Sequence, residues 1–96
     1  MDELVYYNDL YDLYKNLLTE KQQEYFEEYF FNNLSLSEMA ENYNVSRNAI
    51  SKQLNVIKEK LNDYEEKLDL YKKNRKISEL DINEELKNKI MDILLP

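Results

Sequence analysis

The chain has 96 residues, a formal net charge of −7, and neither cysteine nor histidine. This length suits one domain with a single core, and the lack of cysteine excludes a disulfide framework and a thiol nucleophile. Without histidine as well, most metal-ligand and general-base combinations are excluded, so we expect no enzyme and no metal or other cofactor. No apolar run could span a bilayer and the acidic N-terminus is unlike a signal peptide, so we expect a soluble cytoplasmic protein without a membrane partner.

The composition favours helix throughout. Glycine is absent, and the one proline is the last residue of the chain. Because nothing in the interior breaks a helix, we predict an all-α fold for a single domain at 1–96. Its parts are support helices at 1–34, a helix-turn-helix with an extended last helix at 35–73, and a C-terminal helix at 74–96, a candidate dimerisation element.

The first predicted helix covers Asp2 to Leu17 and has an apolar stripe at helical spacing. The stripe consists of Tyr7, Leu10, Tyr11, Tyr14, Leu17 and Leu18. We interpret the tyrosines as core residues, with a base-stacking surface as the alternative.

The second predicted helix begins at Thr19, with Gln22 in the capping-box position, and ends at Asn32 and Asn33, which tolerate a left-handed backbone. Its inner face is predicted to hold Tyr25, Phe26, Tyr29 and Phe30. Glu24, Glu27 and Glu28 are interpreted as a solvated face.

The next two helices are predicted to meet at a tight corner. Ser35 and Glu38 form a capping box for the first of them, and Ser46 caps the second. The inner faces are predicted to hold Leu36, Met39, Ala40 and Tyr43 on the first helix and Ala49, Ile50 and Leu54 on the second. At the corner, Ala40 permits close approach, Asn44 takes the left-handed position, and Val45 fills the inside of the turn; this order is typical of a helix-turn-helix.

The second of these helices is predicted to continue to about Lys73, because its apolar residues recur at alternating intervals of four and three. They are Ile50, Leu54, Ile57, Leu61, Tyr64, Leu68 and Tyr71. The distal part of this stripe must be buried by the first helix, by the C-terminal helix or by a second copy of the chain. Neighbouring carboxylates such as Glu65 and Glu66 are interpreted as surface charge, since adjacent helical residues point in different directions.

A basic run follows at 72–76. It is interpreted either as a helix end that complements the helix dipole or as a patch that contacts phosphate. The last helix is predicted to be capped by Asp81 or Asn83, and we expect its apolar stripe to be packed down. The stripe consists of Ile82, Leu86, Ile90, Ile93 and Leu94.

Charge is distributed unevenly along the chain. Segment 1–45 has 2 basic and 10 acidic residues, segment 46–77 has 9 and 5, and segment 78–96 has 2 and 5. The basic excess is therefore confined to the candidate recognition helix and its continuation, which could present a positive face to phosphate.

In a helix-turn-helix, the first turns of the second helix face the major groove. The candidate nucleic-acid-binding residues are Ser46, Arg47, Asn48, Ser51, Lys52, Asn55 and Lys58. Arginine can read guanine and asparagine adenine, while Lys52 and Lys58 would hold phosphate. A backbone amide at Ser35 or Ser37 could hold another phosphate. The alternative is that Arg47 and Lys52 form surface ion pairs with the acidic helices.

Three segments of the chain resemble the YlxM family of small bacterial helix-turn-helix proteins. They are LLTEKQQEY at 17–25, SLSEMAENYNVSRNAI at 35–50 and LNDYEEKL at 61–68. The helix-turn-helix is also similar to region 4 of bacterial sigma factors, which implies a three-helical core of that type, like that of winged-helix proteins.

The resemblance implies a regulator associated with the signal recognition particle, whose gene accompanies that of the particle's GTPase subunit. DNA or RNA would then be its partner. The alternative is a protein-interaction module that binds the GTPase or its RNA complex without sequence-specific DNA binding, which the acidic N-terminal half favours. We also expect a homodimer.

Overall fold

The protein is all-α, as predicted. A computed structural model describes residues 3–96, so the predicted start of the first helix at Asp2 lies outside the described residues. The α-helices are α1 (Glu3–Tyr14), α2 (Glu20–Phe26), α3 (Leu36–Tyr43), α4 (Arg47–Leu68), α5 (Leu70–Ser78) and α6 (Glu84–Leu94). A 3-10 turn at Lys15–Leu17 follows α1 and a π turn at Glu27–Phe31 follows α2. Within residues 3–96, no helix has the length and apolar character needed to cross a membrane.

The predicted helix starts are confirmed at three caps. Thr19 with Gln22 and Ser35 with Glu38 form complete capping boxes, in which side chain and backbone bond in both directions. The Ser46 hydroxyl accepts a hydrogen bond from the backbone amide of Ala49 at 3.0 Å. Each cap satisfies backbone amides that the first turn of a helix leaves unpaired, and these caps place the helix boundaries where the sequence predicts them.

The core forms where α1, α2 and α3 pack against α4. Its buried members are Leu10, Tyr11, Tyr14, Leu18, Tyr25, Phe26, Met39, Ala40, Ile50, Leu54, Ile57, Leu61 and Leu70. The Tyr11 ring stacks on Phe26 with a centroid distance of 4.2 Å. The interpretation of Tyr11, Tyr14 and Tyr25 as core residues is therefore confirmed, whereas Leu17 is exposed at the end of the 3-10 turn.

The second helix departs from the prediction in its last turn. Its backbone widens to a π turn, in which the amide of Asn32 donates to the carbonyl of Glu27 at 2.9 Å. Because this turn holds one residue more than a regular α-helical turn, it shifts the register of the side chains that follow. The predicted inner residue Tyr29 is consequently exposed. Of the glutamates predicted to form a solvated face, Glu24 and Glu27 are exposed and Glu28 is half-buried. Two of them also have partners in the fold: the Tyr11 hydroxyl donates to Glu27, and the Tyr43 hydroxyl donates to Glu28 at 3.0 Å.

Alkaline pH is expected to destabilise the fold through its tyrosines. Burial raises the pKa of Tyr11, Tyr14 and Tyr43 above the ordinary value of 10.0, and a hydrogen bond to a glutamate is the second cause at each of them. Since the folded state holds these protons more tightly than the unfolded state, the stabilisation is intact below pH 10 and is lost as the pH rises above it. Thermal unfolding followed by circular dichroism should show a falling midpoint there, and a flat midpoint beyond the ordinary pKa would contradict the prediction.

The long helix ends earlier than predicted. Asp69 adopts a left-handed backbone with φ 55°, so α4 stops at Leu68 and α5 begins at Leu70 in a new direction. The predicted register fails with it: Leu68 is 40% exposed, whereas Leu70 is 4% exposed. The prediction of one helix to Lys73 was wrong because aspartate tolerates this conformation and the change of direction buries Leu70.

A buried polar cluster holds the junction of α4 and α5. The Tyr14 hydroxyl donates to Glu65 Oε1 at 2.6 Å and accepts from the Leu70 amide at 3.0 Å. The Tyr71 amide donates to the same Glu65 oxygen at 2.9 Å. Glu65 is only 6% exposed, so its interpretation as surface charge was wrong. Its carboxylate instead accepts the hydrogen bonds that stabilise the start of α5.

The last helix is less buried than expected. Asn83 caps it, accepting from the Leu86 amide at 2.8 Å, as one of the two predicted caps. None of its residues is buried, and Ile93 is 83% exposed. The expectation of a packed stripe was therefore wrong for a single chain, because α1, α2 and α3 cover α4, whereas α6 packs mainly against α5.

Candidate nucleic-acid interface

The corner between α3 and α4 has the predicted backbone, but one of its side chains does not lie where it was predicted. Asn44 adopts a left-handed conformation with φ 53°. The Val45 amide closes the turn by donating to the Ala40 carbonyl at 3.0 Å, but the Val45 side chain is 43% exposed. The prediction that Val45 fills the inside of the turn was wrong; Met39 and Ile50, both fully buried, occupy the interior there.

The first turns of α4 present a polar surface, which we call the α4 face. It consists of Arg47, Asn48, Ser51, Lys52 and Asn55. Asn48, Lys52 and Asn55 follow the i, i+4, i+7 spacing that places side chains on one side of a helix, and all three are exposed. Ser46 is also exposed, and its hydroxyl caps the helix.

The two cations of the α4 face are not neutralised within the fold. Among residues 3–96, neither Arg47 nor Lys52 takes part in an ion pair, so the alternative of surface pairs with the acidic helices is not what the structure contains. An exposed arginine with free donors can form a bidentate contact with a planar acceptor such as the guanine edge.

Two shallow cavities open along this face. The first, of about 520 Å³, is lined by Leu36, Ser46, Arg47, Asn48 and Ser51. The second, of about 510 Å³, extends along α4 to Asn55. Hydroxyl, amide and cationic groups line both cavities, which matches the mixed donors and acceptors of a base edge. Leu36 was not among the predicted site residues; its signal in the sequence was its place directly after the Ser35 cap.

Lys58 is not brought together with the other predicted residues. Its ammonium group pairs with Glu3 at 2.9 Å and lies over the rings of Tyr7 and Phe30, at 5.4 and 5.7 Å from their centroids. Its side chain is only 27% exposed. These contacts fasten α4 to α1, so Lys58 would have to give them up in order to hold phosphate.

The backbone amides at the start of α3, which could hold a phosphate, are also partly occupied by hydrogen bonds within the fold. The Ser35 amide, a predicted phosphate donor, already donates to Glu38 Oε1 at 3.1 Å. Hydrogen bonds from the Ser35 amide and then from its hydroxyl lower the pKa of the Glu38 carboxyl below its ordinary value. A phosphate at this turn would meet the Glu38 carboxylate, which leaves the α4 face as the more favourable contact.

The corner, the two crossing helices and the exposed first turns of α4 define a helix-turn-helix protein. Comparison with known families agrees with this class. The chain belongs to the family described as "Putative helix-turn-helix protein, YlxM / p13 like", whose model matches residues 1–94. The resemblance to the YlxM family is therefore confirmed.

The relatives carry the same family designation. A UPF0122 protein of Ureaplasma urealyticum serovar 10 is 47% identical over 87 residues, which cover 88% of this chain and 88% of the relative. A UPF0122 protein of Ureaplasma parvum serovar 3 is 46% identical over 87 residues, with the same coverage of 88% on each side. A UPF0122 protein of Fusobacterium nucleatum subsp. nucleatum is 56% identical over 50 residues, 52% of this chain and 48% of the relative. These names state a family and no activity.

Proposed function

We propose that this protein is a regulatory nucleic-acid-binding protein, and no enzyme, that docks the α4 face in the major groove of a duplex. The observation that carries the proposal is the pair Arg47 and Lys52, both exposed and without an ion-pair partner among residues 3–96. In a chain with a net charge of −7, two unpaired cations on the first turns of a helix-turn-helix are best explained by an anionic ligand.

Each residue of the α4 face has a distinct proposed role. Arg47 would read guanine through its planar guanidinium group, and Asn48 and Asn55 would read adenine through their amides. Lys52 would hold a phosphate, and Ser51 would contact a base edge or phosphate through its hydroxyl. Ser46 keeps the helix start in place as its cap.

The proposal is tested by fluorescence anisotropy with purified protein, random duplex DNA and the signal-recognition-particle RNA as probes, over a series of salt concentrations. Affinity for either probe that falls as salt rises is expected from phosphate contacts. Affinity for neither probe at low salt would overturn the proposal. The comparison of the two probes decides between DNA and RNA as the ligand, and binding to the RNA alone would contradict docking in the major groove, because side chains cannot read the deep, narrow major groove of an RNA duplex.

A second candidate function is binding to the GTPase of the signal recognition particle, or to its RNA complex, without sequence-specific DNA binding. The observation that favours it is the acidic surface of the N-terminal half, where Glu20, Glu24 and Glu27 on α2 and its π turn are exposed. Phe31, at the end of the same π turn, is 47% exposed. Such a surface suits a basic protein partner. A pull-down with the purified GTPase, with and without RNA, separates direct contact from RNA bridging. Nucleic acid and this GTPase meet in the bacterial cytoplasm, so either function implies that location.

We also propose that the protein forms a homodimer through α6. Leu86, Ile93 and Leu94 are 46%, 83% and 39% exposed along one stripe of this helix, and a second copy could cover them. Ile93→Glu is expected to convert the dimer to a monomer, since it places a charge in the apolar contact. Light scattering measures the change; a wild-type protein that is already monomeric at high concentration would contradict the proposal.

A further inference from the structure

Helix α5 carries the densest positive charge of the chain. Residues 70–78 contain four cations and no anion, although the whole chain has a net charge of −7. The four are Lys72, Lys73, Arg75 and Lys76, which we call the α5 basic face. All four are exposed, whereas Leu70 on the opposite side is buried.

The helix dipole does not account for this charge. Because α5 begins at Leu70, Lys72 lies in its first turn and Lys73 directly follows. The N-terminal end of a helix carries partial positive charge, so cations there are unfavourable. Only Arg75 and Lys76 lie in the last turn, where the dipole favours them. Lys72 and Lys73 therefore gain nothing from the dipole of their own helix, and the anions at this end are Glu65 and Asp69.

Ion pairs within the fold do not account for it either. Lys72 lies 3.8 Å from Asp69, and its side chain remains 74% exposed. Among residues 3–96, Lys73, Arg75 and Lys76 form no ion pair. The Arg75 guanidinium group lies over the Tyr71 ring at 5.7 Å, which holds it in place without neutralising it.

We infer that the α5 basic face is a second nucleic-acid contact that holds phosphates without reading bases. The inference rests on the proposed function, since nucleic acid is the ligand of both surfaces. Its residues are cations, which suit a phosphate backbone, and their spacing of four charges within five residues matches a polyanion of high charge density. An isolated acidic side chain of a protein partner would match one or two of them.

The length of α4 separates the two surfaces. The α4 face occupies the first nine residues of this 22-residue helix, so roughly 20 Å of helix, at about 1.5 Å per residue, separates it from the start of α5. A nucleic acid that contacts both surfaces must therefore span at least this distance. The buried hydrogen bonds of Glu65 fix the position of α5 at the far end of α4.

The test compares three double alanine variants of the full chain, each of which removes two positive charges. K73A/K76A changes the α5 basic face, R47A/K52A changes the α4 face, and K67A/K89A is the matched control, because Lys67 and Lys89 are exposed and paired with neighbours on their own helices. The probe is a random duplex of about three helical turns. Affinity is measured against salt concentration, and circular dichroism verifies the helix content of each variant.

Each lost phosphate contact makes the fall of log affinity with log salt less steep by roughly 0.9. K73A/K76A is therefore expected to reduce the steepness of this slope by about 2 and to weaken the binding of all duplex sequences equally. The control should leave the slope unchanged. An unchanged slope for K73A/K76A, with binding lost in R47A/K52A, overturns the inference and leaves the proposed function in place. Loss in K73A/K76A alone supports the α5 surface and overturns the role of the α4 face. A slope that changes equally in all three variants reflects net charge and overturns the inference. The inference is also overturned if K73A/K76A changes the self-association of the protein but not its affinity for the duplex.

Discussion

Replacing Arg47 and Lys52 together by alanine is expected to weaken duplex binding roughly 100-fold. A bidentate contact between arginine and guanine contributes about 1–3 kcal/mol, and loss of the lysine removes a phosphate contact in addition. Neither side chain has an ion-pair partner within residues 3–96, so the fold should tolerate both changes. Fluorescence anisotropy at fixed salt measures the affinity, and thermal unfolding should be unchanged.

The matched comparison is again K67A/K89A, which makes the same change in net charge away from the α4 face. We expect its affinity to stay within about twofold of the wild-type value, because distant exposed charges are screened. If the two double variants lost affinity equally, long-range charge rather than the α4 face would explain the binding. If R47A/K52A bound as well as the wild type, the α4 face would have no role.

The largest effect on stability is expected from Tyr14→Phe. The hydroxyl donates to Glu65 and accepts from the Leu70 amide, and Tyr14 is fully buried. Its removal leaves a buried carboxylate without one of its donors and a buried amide without its acceptor, which costs about 2–3 kcal/mol. For a domain of this size the unfolding midpoint should fall by roughly 10–20 °C. Hydrogen exchange should show the start of α5 opening first.

Tyr64→Phe provides the control for this change. Its hydroxyl donates to the Leu17 carbonyl at 3.0 Å, in an exposed position where water can replace it. We expect a loss below about 1 kcal/mol. If the two variants lost the same free energy of unfolding, the buried cluster at Glu65 would contribute nothing beyond an ordinary hydrogen bond.

Local signals explain why much of the fold was predictable. Thr19, Ser35 and Ser46 each mark a helix start by a short-range hydrogen bond, and Asn44 marks the corner because few other residues tolerate its backbone. The apolar spacing correctly identified Ile50 as a core position of α4. These features depend on residues within a few positions of one another.

Features that depend on distant partners were not predictable. The break at Asp69 has no glycine or proline to mark it, and the apolar spacing continues through it to Tyr71. The buried carboxylate of Glu65 has its donors in Tyr14, 51 residues away, and in the Tyr71 amide beyond the break in the helix. The π turn that exposes Tyr29 likewise changes a register that regular spacing cannot reveal.

The same limit applies to the candidate site. The exposed positions of Arg47, Asn48 and Lys52 follow from helix spacing and were predictable. Lys58 has the same spacing, but its partners Glu3, Tyr7 and Phe30 come from other helices, so the sequence alone could not separate it from the rest. The basic run at 72–76 was interpreted as the end of a long helix or as a phosphate contact. Because its helix begins at Leu70, the run also includes residues at the start of that helix, where the dipole does not favour cations.

The most direct test of the central claim is a titration of the isotope-labelled protein with duplex DNA, followed by NMR of the backbone amides. Docking through the first turns of α4 predicts that amide shifts concentrate at 46–55 and appear at the lowest DNA ratios. Shifts confined to α1 and α2, or no shifts at low salt, would contradict it.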